Sequence, residues 1–354
     1  MAESTPSAEV NAKVEELKEL GKFGLISMLS DKFSIVNDST LHGIGEDAAV
    51  IRHGDIDSII SHRLFVENIH FDMTYVPLKH LGYKVIAVAA SDIVAMNALP
   101  KQVMVNIAIS NRFSLEAINE LTAGMERCCN RYGMDLAGLD LSSSQTGLII
   151  SITAIGEAEH RQLVCRAGAK ENELICVSGD LGAAYTGLIL LEREKKVFEV
   201  NPNEQPQLEE FSYLIERQLK PEPRVDIIRQ LQEVNIIPTS MINITDGLAS
   251  ALIHLCRASK TGSVVFENKL PVDMLTFRTL KDLNIVSTTI ALNGGEDYEV
   301  LFTIAQKDYE ELKKVNNIAI VGYIKEQAAG NQLVTNDDRQ IELRAQGFGE
   351  VKEK

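Results

Sequence analysis

Two acids, Glu46 and Asp47, stand directly behind a Gly-x-Gly turn in "HGIGEDAAVI" and ahead of an apolar run. Glycines let the backbone turn tightly, so the pair sits where a flexible turn becomes a strand entering a core. Such a place can hold a cation, and it equally suits an ordinary solvated turn. Further acids share the setting. Asp92 lies inside the apolar "AASDIVAM", Asp140 in "AGLDLSSS", Asp246 in "NITDGLAS", and Glu296 with Asp297 in "NGGEDYEV". Asp246 also reads as a helix cap, and Asp140 as a residue bonding its own Ser-rich turn. Asp92 is harder to explain away, because a carboxylate between Ala-Ala-Ser and Ile-Val-Ala-Met is costly to bury unpaired. If several of these acids converge, Mg²⁺ is the natural occupant: it takes hard oxygen ligands and bridges to substrate phosphates. Carboxylates grouped without His or Cys argue against zinc. No GxxxxGK[ST] loop occurs, but "SGDLGAA" (178–184) is a glycine turn at a helix start that could accept a phosphate.

The elements that must position these acids alternate between strand and helix. The spacing predicts a charged helix over 8–20 ended by Gly21 and a strand beginning at 57. A buried helix follows over 80–100, stopped by Pro100, and then a strand over 102–110. Ser114 can cap a helix running to about Tyr132 and closed by Gly133, with a further strand over 147–158. The polar stretch 159–173 reads as a domain junction. Beyond it come a strand, a glycine turn and a helix (174–194), a Pro-interrupted insertion (195–220) and a helix in "VDIIRQLQEV". A helix over 244–259, a glycine turn feeding a strand (293–304) and a strand over 317–324 complete the pattern. This is an α/β (α+β) chain in two domains: an N-terminal arm over 1–30, a domain over 31–158 and a second over 159–345.

At 354 residues the chain can build two cores, and 45% hydrophobic with 24% charged residues is ordinary for a globular protein. The formal net charge of −15 argues against nucleic acid or an anionic membrane as partner. The five cysteines show no CxxC spacing and no His/Cys grouping typical of zinc, which fits reduced thiols in the cytoplasm. No apolar run reaches membrane-spanning length, and the acidic N-terminus is unlike a signal peptide.

Taken in order, "GIGEDAAV", "LFVENIHF", "SDIVAMNALP", "GLDLSSS", "CRAGAKENELICVSGDLGAAYTGL", "LKPEPRV", "ITDGLAS" and "NGGEDYE" resemble the thiamine-monophosphate kinase family over most of the chain, about Gly43 to Tyr298. The resemblance implies the aminoimidazole ribonucleotide synthetase-like fold, with an N-terminal sheet pairing across a homodimer. It also implies transfer of the ATP γ-phosphoryl group to thiamine phosphate, giving thiamine diphosphate, with Mg²⁺ between the nucleotides. Asp47, Asp92, Asp140 and Asp246 would then be the catalytic metal ligands, with Glu46 beside them. His70, Glu296, Asp297 and Tyr298 would lie on the thiamine-phosphate side, and Arg166, Gly168 and Thr245 near the nucleotide.

The match breaks at particular residues. Arg63 stands where the family has a metal-binding aspartate before "LFVENIHF", and Asn243 replaces another acid. Leu139 and Leu141 flank Asp140 in place of a small residue and a threonine, Ala251 replaces a further acid, Ala89 or Ala90 an asparagine, and Asn68 a glycine. At Arg63 the local charge changes by two units, and a unit-charge pair at 4 Å is worth about 4 kcal/mol at an effective dielectric of about 20. At least one metal site should be lost, with Arg63 pairing Asp47 or Asp92 or touching a phosphate itself. Two readings follow. One is a thiamine-phosphate kinase working with fewer metals. The other is a catalytically impaired paralogue that binds nucleotide or thiamine phosphate in a non-enzymatic or regulatory role.

Overall fold

The computed structural model describes residues 21–203 and 208–346. The helix expected over 8–20 lies outside the described residues. Helical structure does not stop at Gly21, since residues 21–30 form a helix (α1).

A first sheet takes β1 (Thr40–His42), β2 (Ala49–His53), β3 (Ile56–Val66), β4 (Leu99–Ile109), β5 (Asp135–Ser143) and β6 (Ile149–Glu159) in the order β1-β2-β3-β6-β4-β5. Its pairings are antiparallel except that of β4 with β5. Helices α2 (Leu78–Val94) and α3 (Leu115–Tyr132) cover one face. On β3 the alternation is plain: Asp57, Ile59, Ser61 and Phe65 are buried, while Ile56, His62 and Leu64 face outward. Helix α2 is apolar on most sides because it is covered on most sides, by the sheet and by α3. The two helices touch backbone to backbone. A Cβ on Gly82 would stand 1.9 Å from the Leu121 carbonyl oxygen, and one on Gly124 2.0 Å from that of Lys79. Ser114 caps α3, its side chain accepting from the Ala117 N–H at 3.2 Å, and Gly133 closes the helix at φ 67°. Two expectations are corrected. Helix α2 ends at Val94, so Pro100 does not stop it but lies inside β4, and Asp140 lies within β5 rather than in a turn.

The second sheet takes β7 (Leu174–Ser178), β8 (Ser240–Ile244), β9 (Thr261–Phe266), β10 (Glu299–Ile304), β11 (Ile318–Glu326), β12 (Asn331–Val334) and β13 (Gln340–Glu342). Their order is β13-β12-β9-β11-β7-β10-β8, with β9 and β12 parallel and the rest antiparallel. Between its strands run α4 (Ala183–Val200), α5 (Ser212–Leu219), α6 (Val225–Glu233), α7 (Leu248–Ser259), α8 (Met274–Asp282), α9 (Ser287–Asn293) and α10 (Tyr309–Leu312). Asp246 does not cap α7, whose N-cap is Gly247 at φ 91°. The two halves share apolar packing, with Val94 from α2 in one cluster with Cys176, Ile228 and Phe302. Among the described residues no helix is long and apolar enough to cross a membrane.

Candidate active site

A cavity of about 1150 Å³ opens between the halves, lined by α1, the turn at 43–49, the end of β3, Asp92 and the segment from Ile242 into α7. Each acid in it is met by a basic group. Asp92, projecting from the buried face of α2, receives both edges of the Arg63 guanidinium: Nε at 2.6 Å on Oδ2 and Nη2 at 2.5 Å on Oδ1. The Asn243 amide, from β8 in the other half, donates to the same Oδ1 at 3.0 Å. Two of the replacements noted in the sequence, Arg63 and Asn243, therefore meet on one carboxylate. Arg63 alternates onto the inner face of β3 with Ser61 and Phe65, and the strand period aims it at α2.

Asp47 accepts from Arg166 Nε at 3.0 Å, and Arg166 Nη1 also donates to the Gly45 carbonyl at 2.7 Å. Burial pushes the Asp47 carboxyl up, against the pull of the Arg166 guanidinium. Glu46 accepts the Arg166 backbone N–H at 2.9 Å. Asp246 is paired with Lys22 of α1 at 3.0 Å, and the neighbouring Phe23 ring packs edge-on against His254, centroids 4.4 Å apart. Burial, with Arg166 close by, lowers His254 to about 4, so its ring is neutral near pH 7.

The residues expected on the substrate side form an adjoining group. Glu296 accepts from Lys84 Nζ and Gln218 Nε2, both at 2.8 Å; burial raises its carboxyl, but the Lys84 charge outweighs this and holds it below the usual range. Asp297 is buried and accepts the Gly182 N–H at 3.0 Å, so the glycine turn of "SGDLGAA" is occupied by a carboxylate of the chain itself. Burial raises Asp297 to about 7 in spite of Arg217. Tyr298 is buried, and burial with Glu296 and Asp92 nearby carries its hydroxyl well above the ordinary value. His70 accepts the Val66 N–H at 3.0 Å. Thr245 lines the cavity, whereas Gly168 is tied to Ser259 by its N–H at 3.2 Å.

Asp140 does not join the others. Cross-strand register places it opposite Asn106, which lies opposite Ser151, which lies opposite Leu64. Paired residues share a sheet face, so Asp140 is on the outward face, three strands from β3, while Arg63 points inward. Nor do three of Glu46, Asp47, Asp92, Asp140 and Asp246 bring carboxylate oxygens within 4.8 Å of one another. A preformed cage of carboxylates does not fit this donor set. A single Mg²⁺ fits it better, since Mg²⁺ commonly takes one or two carboxylates with substrate phosphates and water. Glu46 and Asp47 would be its holders, Asp47 exchanging its single Arg166 bond for the ion, whereas both Asp92 oxygens are held by Arg63. Lys22, Lys84 and Gln218 are cavity or cleft partners that no sequence motif marks out.

Residues 45–158 match the family described as AIR synthase related protein, N-terminal domain, which sets the class of fold. The chain is 32% identical over 341 residues to the thiamine-monophosphate kinase of Bacillus subtilis, covering 94% of this chain and 100% of that one. Against the thiamine-monophosphate kinase of Aquifex aeolicus it is 30% identical, over 81% of this chain and 87% of the relative. This chain belongs to the thiamine-monophosphate kinase family. Among solved structures it is similar to AaThiL complexed with AMPPCP and TMP, with TM-score 0.77, 27% identity and coverage of 93% and 97% of the two chains. A hydrogenase maturation protein HypE in complex with ATP, at 16% identity and TM-score 0.64, shares the fold.

Proposed function

We propose that this chain binds ATP and thiamine phosphate between its two halves and phosphorylates the latter to thiamine diphosphate, at a rate well below that of relatives with the full acidic set. The observation that carries this reading is the bidentate Arg63–Asp92 pair with Asn243 on the same carboxylate. Phosphoryl transfer depends on positioning and charge neutralisation, with little covalent work for the protein. Mg²⁺ supplies neutralisation of the phosphates, and Asp47 with Glu46 would hold it. Arg63 provides a fixed positive charge where the family pattern has a carboxylate. Losing one charge-stabilising group typically costs two to three powers of ten, roughly 3–4 kcal/mol. A non-catalytic, regulatory binding role rests on the same pair, since an acid committed to an internal arginine is not available to a metal.

A thiamine diphosphate assay on the wild type and on Arg63→Asp with Asn243→Asp separates the two. Slow turnover by the wild type, raised in the double variant, supports the kinase. No turnover by the wild type with nucleotide binding intact supports the regulatory role.

We further infer a cytoplasmic homodimer with the domain junction near 159. The basis for the dimer is the edge strand β5, whose Leu139 and Leu141 are exposed, and the outward Leu64 and Met104 of the same sheet. Light scattering reporting a monomer at micromolar concentration would count against it.

A further inference from the structure

The fold brings three ligand types together, two from β1 and the turn after it, and one from the other half of the chain. His42, Glu46 and Cys165 each offer one ligand atom, and these atoms all lie within 4.8 Å of one another. Among the described residues this is the one such grouping of His, Cys, Asp and Glu.

Each member is placed by backbone. His42 ends β1 and lies opposite Val50 of β2, so the ladder fixes where its side chain starts. Glu46 follows after the turn through Gly45, whose φ of 125° allows the chain to reverse within a few residues. Cys165 arrives from the other half: its carbonyl accepts the Met241 N–H at 3.0 Å, and the next residue's N–H donates to Glu46 at 2.9 Å. No hydrogen bond holds the His42 ring among the described residues. Cys165 is half-buried, whereas Cys128, Cys129, Cys176 and Cys256 are buried.

We propose that His42, Glu46 and Cys165 form a binding site for a borderline or soft divalent ion of the zinc class. Imidazole, thiolate and carboxylate are the donors such ions take, and the thiolate selects against Mg²⁺. Bond lengths of about 2.0–2.3 Å put tetrahedral donors about 3.5 Å apart, so atoms that lie within 4.8 Å of one another need to close by no more than about 1.3 Å. The glycine-flanked 43–45 turn makes that movement feasible. Binding releases the Cys165 proton to solvent and leaves the fourth position to water. Glu46 is common to this site and to the proposed Mg²⁺ position, so a zinc-class ion would draw it away from the nucleotide.

The test is titration of the full-length, metal-free, reduced protein with Co²⁺, read by absorption and therefore independent of catalysis. One Co²⁺ per chain is expected, with a thiolate-to-cobalt charge-transfer band that Zn²⁺ abolishes and excess Mg²⁺ leaves unchanged. The band should vanish in both Cys165→Ser and Cys165→Ala, with circular dichroism confirming that they fold. Co²⁺ affinity should fall at least tenfold in His42→Ala. Absence of the band at saturating Co²⁺, its survival in folded Cys165 variants, or its loss to Mg²⁺ would each overturn the site.

Discussion

Replacing Arg63 by aspartate puts a carboxylate where a guanidinium now grips Asp92 through two bonds of 2.5 and 2.6 Å. The Asp92 side chain is 2% exposed, so water cannot take over the lost role. Unit charges at 4 Å interact by about 4 kcal/mol at an effective dielectric of about 20, and the change is from attraction to repulsion. Relaxation and protonation soften that figure, and breaking a buried pair typically costs about 3–5 kcal/mol. For a domain of this size each kcal/mol shifts the melting temperature by about 2–4 °C, so Arg63→Asp should melt on the order of 10 °C lower in metal-free buffer. The variant also gains a pair of facing carboxylates able to bind Mg²⁺. At a hundredfold excess over its dissociation constant, Mg²⁺ would return about 2.7 kcal/mol, most of the loss. Nucleotide-free wild type, with Asp92 already neutralised, should show almost no Mg²⁺ response. Calorimetry of both proteins with and without Mg²⁺ makes the comparison. Equal stabilisation of the two by Mg²⁺ would refute the idea that Arg63 stands in for an ion.

Three further outcomes are expected. Gly124→Ala drives a methyl into the Lys79 carbonyl and should lower the denaturant midpoint, by about 1–3 kcal/mol in stability, without changing the m-value. Asp297, raised to about 7 by burial against the pull of Arg217, holds its proton longer folded than unfolded. Stability should therefore fall as pH rises from about 4 to about 7, and Asp297→Asn should flatten that slope in urea titrations at stepped pH. The Lys22–Asp246 pair is exposed on both sides, so Lys22→Gln should leave the unfolding free energy within about 0.5 kcal/mol of wild type.

The helix from Ser114 to Gly133 was legible because cap, periodicity and stop glycine agree, and α2 because an apolar stretch of that length must be buried. The acids behind Gly45 were legible as a carboxylate pair at a tight turn, and the anomaly at Arg63 only as a departure from the pattern the chain otherwise resembles. Partners were not. That Arg63 chooses Asp92 and that Asn243 joins it are facts of tertiary register, with a strand facing a helix and a second strand arriving 151 positions later. Asp140 was misplaced because strand order decides which face and how far, and nothing in "AGLDLSSS" announces that β5 becomes the sheet edge. The cysteines were read by spacing alone, which could not reveal that Cys165 meets His42 and Glu46 across the cleft.

The charged residues lining the cavity are Lys22, Arg63, Arg166 and Arg257 against Glu46, Asp47, Asp92 and Asp246, and their formal charges cancel. A nucleotide approaching this cleft meets no net local charge to draw it in, while the chain as a whole carries −15. The long-range potential therefore slows the arrival of a phosphate-rich ligand rather than speeding it. Added salt, by screening that repulsion, should raise the association rate, opposite to the trend for a ligand drawn in by a basic cleft.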